Sequence, residues 1–244
     1  MKRIGLIRNI LGLSFLASPL FGADLLISTG SYVITSNVTY NLVTVNGTGS
    51  LSVINDGFLT VTGALVGQDQ SSFLIDRGTV RGRVNITSSK KFHLLNATLS
   101  NTEGSPSNSI INSGNIVIAH SRIDAVTPLS QAVGGSAAIQ LISPNDIYVS
   151  DSKITVTAGP GATGYYGGQR GGGGELTVQS TRNAYVDPGS ILTCSGSESR
   201  LSIKGDVIYL NGAQFLSYGK SASNGYVIFD AQEINGAGNT LYAE

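Results

Sequence analysis

The sequence predicts an all-β fold, a single-stranded parallel β-helix, or solenoid, of about nine coils. Three observations predict it: a short apolar pattern that recurs along the chain, glycine-rich corners between the copies, and no helical periodicity after residue 23. Apolar residues two positions apart are typical of a strand that turns one face inward. Coils of about 20 to 25 residues cannot bury that face alone, so we expect them to stack.

The composition is that of a folded, sparsely charged chain. Of the 244 residues, 32 are glycine, 12% are charged and 41% are hydrophobic. This hydrophobic share is above what intrinsic disorder usually allows, so we expect one core in one domain. The 15 basic and 15 acidic residues cancel, which removes the basic footprint expected of a nucleic-acid-binding protein.

The first 23 residues are typical of an export signal. Lys2, Arg3 and Arg8 form a basic region, and the largely apolar run 10–21 follows it. A run of 12 residues is too short to span a bilayer, and the small residues after it are typical of a cleavage region. We therefore expect residues 1–23 to be a signal peptide, residues 24–244 to form the β-helix domain, and the protein to be extracellular or at the cell surface.

The repeated pattern is an apolar residue, any residue, an apolar residue, two residues of any type, a small residue, any residue and an apolar residue. The first two apolar residues form a strand, and we expect the small residue to permit a tight bend before the next strand. The nine copies begin at Leu25, Leu51, Phe73, Phe92, Ile116, Ile147, Ala184, Ile208 and Val227. Further apolar pairs, such as Val84 and Ile86, precede many copies, so each coil should hold two or three short strands.

An antiparallel β-sandwich is the competing fold. It would show hairpin signals and no constant repeat phase. Asn46-Gly47 and Asp56-Gly57 are such signals, but the constant phase of the apolar pattern favours the solenoid.

Insertions are concentrated at one position of the repeat. Four long segments separate the last apolar position of one copy from the next strand: 103–108, 127–138, 158–174 and 195–199. In a stack of coils they lie at one corner, and loops on a rigid framework commonly carry function. The third segment contains Tyr165, Tyr166 and Arg170, which we take as candidate binding residues; a surface excursion without a ligand is the alternative.

Stacking also aligns the residue that follows each repeat start. From the third copy onward these residues are Leu74, His93, Val117, Tyr148, Tyr185, Tyr209 and Ile228. Neighbouring tyrosine rings in such an outward column can stack, which contributes about 0.5–1.5 kcal/mol per pair beyond burial. We take Tyr148, Tyr185 and Tyr209 as candidate binding residues for a carbohydrate or a protein surface. The alternative is an aromatic ladder with a purely structural role.

One polar cluster has the residue types of an enzyme site. In the predicted stack His120 lies under Asp151 and Arg122 lies under Lys153. A polysaccharide lyase needs acids that bind calcium or neutralise a uronate, and a base that removes the proton next to the carboxyl group. These four residues are the candidate catalytic residues of that alternative. Further acids are expected nearby at Asp124, Asp146 and Asp187. Outward charges are usually solvated surface pairs, so the sequence favours a non-catalytic protein.

The remaining residue patterns indicate no chemistry. The single cysteine, Cys194, cannot form an internal disulfide or a multi-thiolate metal site, and it lies several coils from His93 and His120. A glycosidase needs two facing carboxyl groups about 5–10 Å apart, and no such pair stands out. We therefore expect no cofactor and no metal, and calcium only if the lyase alternative holds.

The export signal, the β coils in constant phase and the glycine-rich segment 164–174 resemble the right-handed parallel β-helix proteins with a pectin-lyase-like fold. Within that group the chain is most similar to passenger regions of bacterial surface adhesins and autotransporters, including filamentous haemagglutinin-like and polymorphic outer-membrane proteins. The resemblance covers about residues 25–244 and implies a right-handed stack and a role in adhesion at the cell surface. The chain departs from the chlamydial members because it has no Phe-x-x-Asn repeat.

The last coil suggests a further partner. The ninth copy ends at Ile234, and residues 235–244 carry no amphipathic pattern of a capping helix. An uncovered β-helix end presents unpaired N–H and C=O groups and invites strand addition, so we expect the chain either to be part of a longer stack or to associate end to end. The sequence thus predicts an exported adhesion or binding protein. A polysaccharide lyase or glycoside hydrolase and a self-assembling filament subunit are the alternatives.

Overall fold

The computed structural model describes residues 22–102, 107–127, 136–159, 173–219 and 225–244. Within these ranges all elements of regular secondary structure are β-strands, which confirms the predicted all-β class. The strands are β1 Leu25–Ile27, β2 Ser31–Ile34, β3 Asn37–Val45, β4 Ser50–Ile54, β5 Phe58–Gly67, β6 Ser72–Asp76, β7 Thr79–Ile86, β8 Lys91–Leu95, β9 Thr98–Asn101, β10 Ser107–Asn112, β11 Ile116–Ala119, β12 Arg122–Val126, β13 Ala137–Ser143, β14 Ile147–Ser150, β15 Lys153–Thr157, β16 Gly174–Ser180, β17 Asn183–Val186, β18 Ile191–Gly196, β19 Ser199–Lys204, β20 Val207–Asn211, β21 Gln214–Gly219, β22 Gly225–Asp230, β23 Glu233–Ala237 and β24 Thr240–Ala243. Most of the predicted export signal, residues 1–21, lies outside the described residues.

The strands form two sheets in which all the pairings are parallel. The front sheet has the order β2-β4-β6-β8-β11-β14-β17-β20-β23. The second, forked sheet begins as β1-β3-β5-β7 and divides at β7. Its first arm continues through β9, β12, β15, β18, β21 and β24, and its second arm through β10, β13, β16, β19 and β22. The chain therefore passes repeatedly from the front sheet to the first arm, to the second arm and back, which is a solenoid-like arrangement.

The core lies between the sheets and consists of stacked apolar columns. In the front sheet one such column is Leu51, Phe73, Phe92, Ile116, Ile147, Ala184 and Ile208. Each of these side chains is at most 2% exposed. Burial of a large apolar side chain contributes about 1.5–3 kcal/mol, so these columns are the main stabilising feature of the stack.

The first and the last predicted repeats are wrong in phase. Leu25 pairs with Val43 and Val227 pairs with Leu201, so both belong to the forked sheet and not to the front sheet. The front sheet instead begins with β2 and ends with β23, where Ile234 lies beside Ile208. The error has a physical reason: every strand of a layer carries apolar residues two positions apart, so this spacing does not show which sheet a strand joins.

The bend from the front sheet into the first arm follows the sequence prediction in one layer and differs from it in others. Gly189, one of the predicted small residues, is left-handed with φ of 80°. In four other layers the left-handed residue is the one before the small residue: Arg77, Asn96, His120 and Asp151, with φ of 52°, 48°, 49° and 42°. The small residue has another role, because a Cβ at Gly78 would lie 2.7 Å from the carbonyl oxygen of Val53. The neighbouring layer thus approaches too closely for a side chain at that position.

The strands that flank the predicted insertions lie at one corner of the stack, but segment 195–199 is not a long loop, because β18 runs to Gly196 and β19 begins at Ser199. The second-arm strands that follow them begin at paired positions, which are Ser107, Ala137, Gly174, Ser199 and Gly225. Each of these strands is preceded by a strand of the first arm. The insertions therefore all connect the first arm to the second arm.

Buried serine side chains connect the layers next to the bend. The backbone N–H of Ala97 donates to Ser121 Oγ at 3.1 Å, and the N–H of Ser121 donates to Ser152 Oγ at 3.0 Å. Ser152 Oγ in turn donates to the carbonyl oxygen of Ser150 at 2.6 Å. These hydroxyls satisfy backbone groups that the bend takes out of the strand ladder.

Replacing Ser152 by alanine should destabilise the protein by about 1–3 kcal/mol, because the buried N–H of Ser121 would lose its acceptor. Urea unfolding followed by far-ultraviolet circular dichroism measures the change. Ser52→Ala is the matched control, since Ser52 faces outward on β4, and its effect should stay within about 0.5 kcal/mol. Equal losses for the two variants would contradict a role for the serine contacts.

Candidate functional site

The most regular outward feature is a row of side chains on the front sheet, which we call the tyrosine column: Leu74, His93, Val117, Tyr148, Tyr185 and Tyr209. Each member pairs with the next in the parallel register, as the sequence predicted. The predicted seventh member, Ile228, is wrong. Asn235 lies beside Tyr209, and Ile228 pairs with Ser202 on the forked sheet. This difference follows from the phase error in the last repeat.

The three tyrosine rings of the column are stacked in parallel. The ring centroids of Tyr148 and Tyr185 are 4.6 Å apart, those of Tyr185 and Tyr209 are 4.7 Å apart, and both pairs are tilted by only 3°. Tyr148 is 36% exposed, whereas Tyr185 and Tyr209 are half-buried. The layer spacing of a parallel sheet, about 4.8 Å, brings the rings into contact.

A carboxylate fixes one end of the ring stack. The Tyr148 hydroxyl donates to Asp146 Oδ2 at 3.2 Å. The backbone N–H and the side-chain amide of Asn183 both donate to Asp146 Oδ1 at 3.1 Å. Loss of solvent around the phenol and the nearby carboxylate of Asp146 together raise the pKa of Tyr148. Asp146, which the sequence suggested as an acid for catalysis, thus holds Tyr148 in the column.

The polar cluster of the lyase alternative lies at the bend between the front sheet and the first arm. His120 Nδ1 is 2.9 Å from Asp151 Oδ2, and Arg122 pairs in register with Lys153. The predicted neighbours in the stack are therefore correct. Together they line an open groove of about 430 Å³.

The carboxylates near this groove make pairwise contacts with basic side chains and do not converge on one point, as a catalytic site would require. The guanidinium of Arg122 donates to the carboxylate of Asp124, which is nearly buried. Among the groups that line the groove, Asp151 supplies the one carboxylate; Asp124, Asp146 and Asp187 do not line it. The His120 and Asp151 side chains are 60% and 61% exposed, and such surface pairs contribute about 0–1 kcal/mol.

Two further sequence predictions concern metals and the glycine-rich loop. Over the described ranges no three histidine, cysteine, aspartate or glutamate side chains converge as a group that could hold a metal ion. Tyr165, Tyr166 and Arg170 lie outside the described residues.

Sequence reasoning missed a second groove, on the outward face of the second arm. It has a volume of about 230 Å³ and is lined by polar side chains of β13, β16 and β19, including Gln140, Thr177, Arg200 and Ser202. Along β13 and β16 these residues alternate with buried ones, which is also the pattern of an ordinary solvated sheet face; on β19 Ser202 is itself buried. The sequence contains no other signal for the groove, because only the register shows which residues become neighbours.

No protein-family model, curated protein or solved structure matches the chain at the significance required of a homologue. In the described part of the chain, no helix has the length and hydropathy to cross a membrane.

Cys194 should be unreactive in the native protein. It is fully buried in the inward column between Val156 and Ser217, and this burial raises the pKa of its thiol to about 12. Because the pKa is raised in the folded state, the stabilising contribution of the neutral thiol is fully present below the usual cysteine pKa of about 8.5. It is lost as the pH rises from there toward 12.

Iodoacetamide at pH about 8 should therefore label Cys194 only after denaturation, as mass spectrometry would show. A Cys194→Ala chain with Ser36→Cys is the control, since position 36 is exposed, and it should be labelled at once. Equally rapid labelling of native Cys194 would contradict the buried placement.

Proposed function

We propose that the protein is an exported, non-catalytic surface protein that acts in adhesion or binding, with the tyrosine column as its contact surface. The observation that carries the proposal is the row of three parallel rings at 4.6 and 4.7 Å. The ring edges and hydroxyls face outward. The sheet beneath them is rigid, because each strand that carries a ring pairs with a strand on either side. Tyrosine rings offer contact area at little cost in conformational entropy, and they are enriched at binding surfaces.

The partner in this proposal is a carbohydrate or a protein surface. Tyr148 and Tyr185 present an apolar ring and a polar hydroxyl side by side, which suits either partner. The hydrogen bond from Tyr148 to Asp146 supports binding. A side chain that is already held in place loses less conformational entropy when a partner binds.

The same proposal takes the solenoid as a right-handed parallel β-helix of about nine coils with the pectin-lyase-like architecture of adhesin and autotransporter passenger regions. The nine parallel strands of the front sheet support the coil number. The strong preference for right-handed crossovers between parallel strands supports the handedness. The basic and apolar composition of residues 1–23 supports export to the cell surface or the outer membrane.

A polysaccharide lyase is the second candidate, and the groove at the bend favours it. Lys153 faces that groove next to Arg122 and the His120–Asp151 pair, so a base and a cationic neighbour for a uronate are both present. Calcium would enter only with this candidate. Among the described residues only one carboxylate, that of Asp151, lines the groove. Support for catalysis at the groove is therefore weaker than support for binding at the tyrosine column.

Self-assembly is the third candidate, favoured by exposed apolar side chains on the outermost strands. Ile234 and Leu241 lie in register with Ile208 and Phe215, yet they are 51% and 58% exposed. A strand that is added at this end of the stack, such as one from a second copy of the protein, would cover them.

Tyr185→Ala should abolish most binding, because it removes the middle ring and both ring contacts. Beads coated with the purified chain would be tested on printed glycan arrays and on immobilised collagen and fibronectin. We expect retention to fall at least about tenfold for Tyr185→Ala and to persist for Tyr185→Phe, which keeps the ring. Tyr218→Ala, which removes an exposed tyrosine outside the column, should bind like the unchanged chain.

The binding proposal would be overturned if no surface retained the beads or if Tyr185→Ala bound as well as Tyr218→Ala. It would also be overturned by release of unsaturated products from polygalacturonate or alginate, with or without calcium, that disappears in Lys153→Ala.

Light scattering after size-exclusion chromatography tests self-assembly. We expect the mass to rise with concentration and to return to that of a monomer in a chain with both Ile234→Lys and Leu241→Lys. These substitutions place charges on exposed strands, and such charges oppose edge pairing. A monomer at every concentration would remove the third candidate.

A further inference from the structure

The groove on the second arm is built by the parallel register of three strands. Gln140, Thr177 and Ser202 form one column across β13, β16 and β19, and Glu175 pairs with Arg200 in the next column. Neighbouring members of a column are about 4.8 Å apart, and adjacent outward columns are about 7 Å apart. The polar groups therefore surround an area of about the size of one sugar ring.

One polar group in this groove has no partner within the protein. Ser202 is only 2% exposed, and its Oγ makes no hydrogen bond within the described structure. A buried hydroxyl without a partner destabilises the fold. The hydroxyl lines the groove but is covered, so a ligand atom can become its missing partner once the ligand displaces the side chains that cover the oxygen.

Other side chains of the groove are also available for a ligand. Within the described ranges, no hydrogen bond or ion pair joins the side chain of Arg200 or Gln140 to another residue. Thr177 Oγ1 donates to Glu175 Oε1 at 3.2 Å, which orients that carboxylate and leaves its second oxygen as an acceptor. The groove thus offers donors from Arg200, Ser202 and Gln140, and acceptors from Glu175 and Gln140.

The charges of the groove favour an uncharged ligand. Glu175 and Arg200 are register neighbours of opposite sign, and Lys204 Nζ is 3.7 Å from Asp230 Oδ2. No net charge is left to attract an anion. The volume of about 230 Å³ lies below the roughly 300–1,000 Å³ of sites for drug-sized ligands, which limits the occupant to about one ring.

An aromatic side chain lies on β22, the strand next to the groove. Tyr226 follows Arg200 in the register and is 46% exposed. Sugar recognition combines hydrogen bonds to hydroxyls with an aromatic surface for the apolar face of the ring, because a pyranose carries both kinds of surface.

From this arrangement we propose that the second-arm groove binds one neutral hexose residue of a glycan, with Arg200, Ser202 and Gln140 as donors, Glu175 as an acceptor and Tyr226 as the ring platform. This site does not depend on the tyrosine column, which lies on the front sheet. A neutral-sugar site there holds whether or not the column binds a partner.

Nuclear magnetic resonance titrations of the isotope-labelled chain with glucose, galactose, mannose and N-acetylglucosamine test the proposal. At least one of the four should shift backbone amides of β16 and β19. Arg200→Ala should weaken that binding by about tenfold or more, since a charged donor is lost. Ser202→Ala should weaken it severalfold while the melting temperature stays equal or rises, because an unpaired buried hydroxyl is removed.

Arg182→Ala is the matched control. It removes an exposed arginine that does not line the groove, and it should leave sugar binding unchanged. If Ser202→Ala lowers the melting temperature in the absence of sugar, the hydroxyl has a structural partner and the proposal is overturned. Failure of all four sugars, or equal binding by Arg200→Ala and Arg182→Ala, also overturns it.

Two further titrations distinguish a neutral-sugar site from an anion site and from the tyrosine column. Inorganic phosphate should not shift the β16 and β19 amides; if it alone does so through Arg200, the groove is an anion site and the proposal is wrong. Tyr185→Ala should keep hexose binding at the groove, so a failure of the tyrosine column in the bead assay is distinguishable from a failure here.

Discussion

Parallel pairing of each layer with the next is the interaction on which the rest of the structure depends. It places residues of successive layers side by side at about 4.8 Å, and it satisfies backbone groups along both sheets. The same spacing produces the inward column from Leu51 to Ile208 and the outward tyrosine column. A substitution therefore affects the packing of the neighbouring side chains in its column, because each side chain within a column contacts one in the layer above and one in the layer below.

The bend and the insertions show where the stack tolerates variation. At the bend, left-handed residues such as Asn96 and His120 and the buried serine contacts leave little freedom, since the neighbouring backbones approach closely. The connections between the two arms carry the long insertions. They lie in the chain between the end of one strand and the start of the next, so the flanking strands keep their pairing whatever the length of the insertion. The candidate surfaces lie on strands of the front sheet and of the second arm, outside both kinds of connection.

The two outward surfaces differ in what they offer a partner. The tyrosine column presents stacked rings with Asp146 at one end. The second-arm groove presents hydrogen-bonding groups without partners, with Ser202 nearly buried among them. An extended glycan or a folded surface suits the column, whereas a single ring suits the groove. The groove at the bend is different again, because two of its polar side chains, His120 and Arg122, already have carboxylate partners.

The sequence by itself determined the all-β class, the strand spacing, the corner that carries the insertions and the order of the tyrosine column as far as Tyr209. These follow from apolar residues two positions apart, which indicate strands, and from the recurrence of that spacing, which gives the repeat length. Only the tertiary structure decided which sheet Leu25 and Val227 join, because that spacing is the same for every strand of a layer. It also decided that Asp146 holds Tyr148 and that Ser202 lies without a partner beside Arg200. The hydrogen bond between Asp146 and Tyr148 joins residues two positions apart. The neighbours of Ser202, in contrast, depend on the register between layers about 25 residues apart in the chain, which no local pattern records.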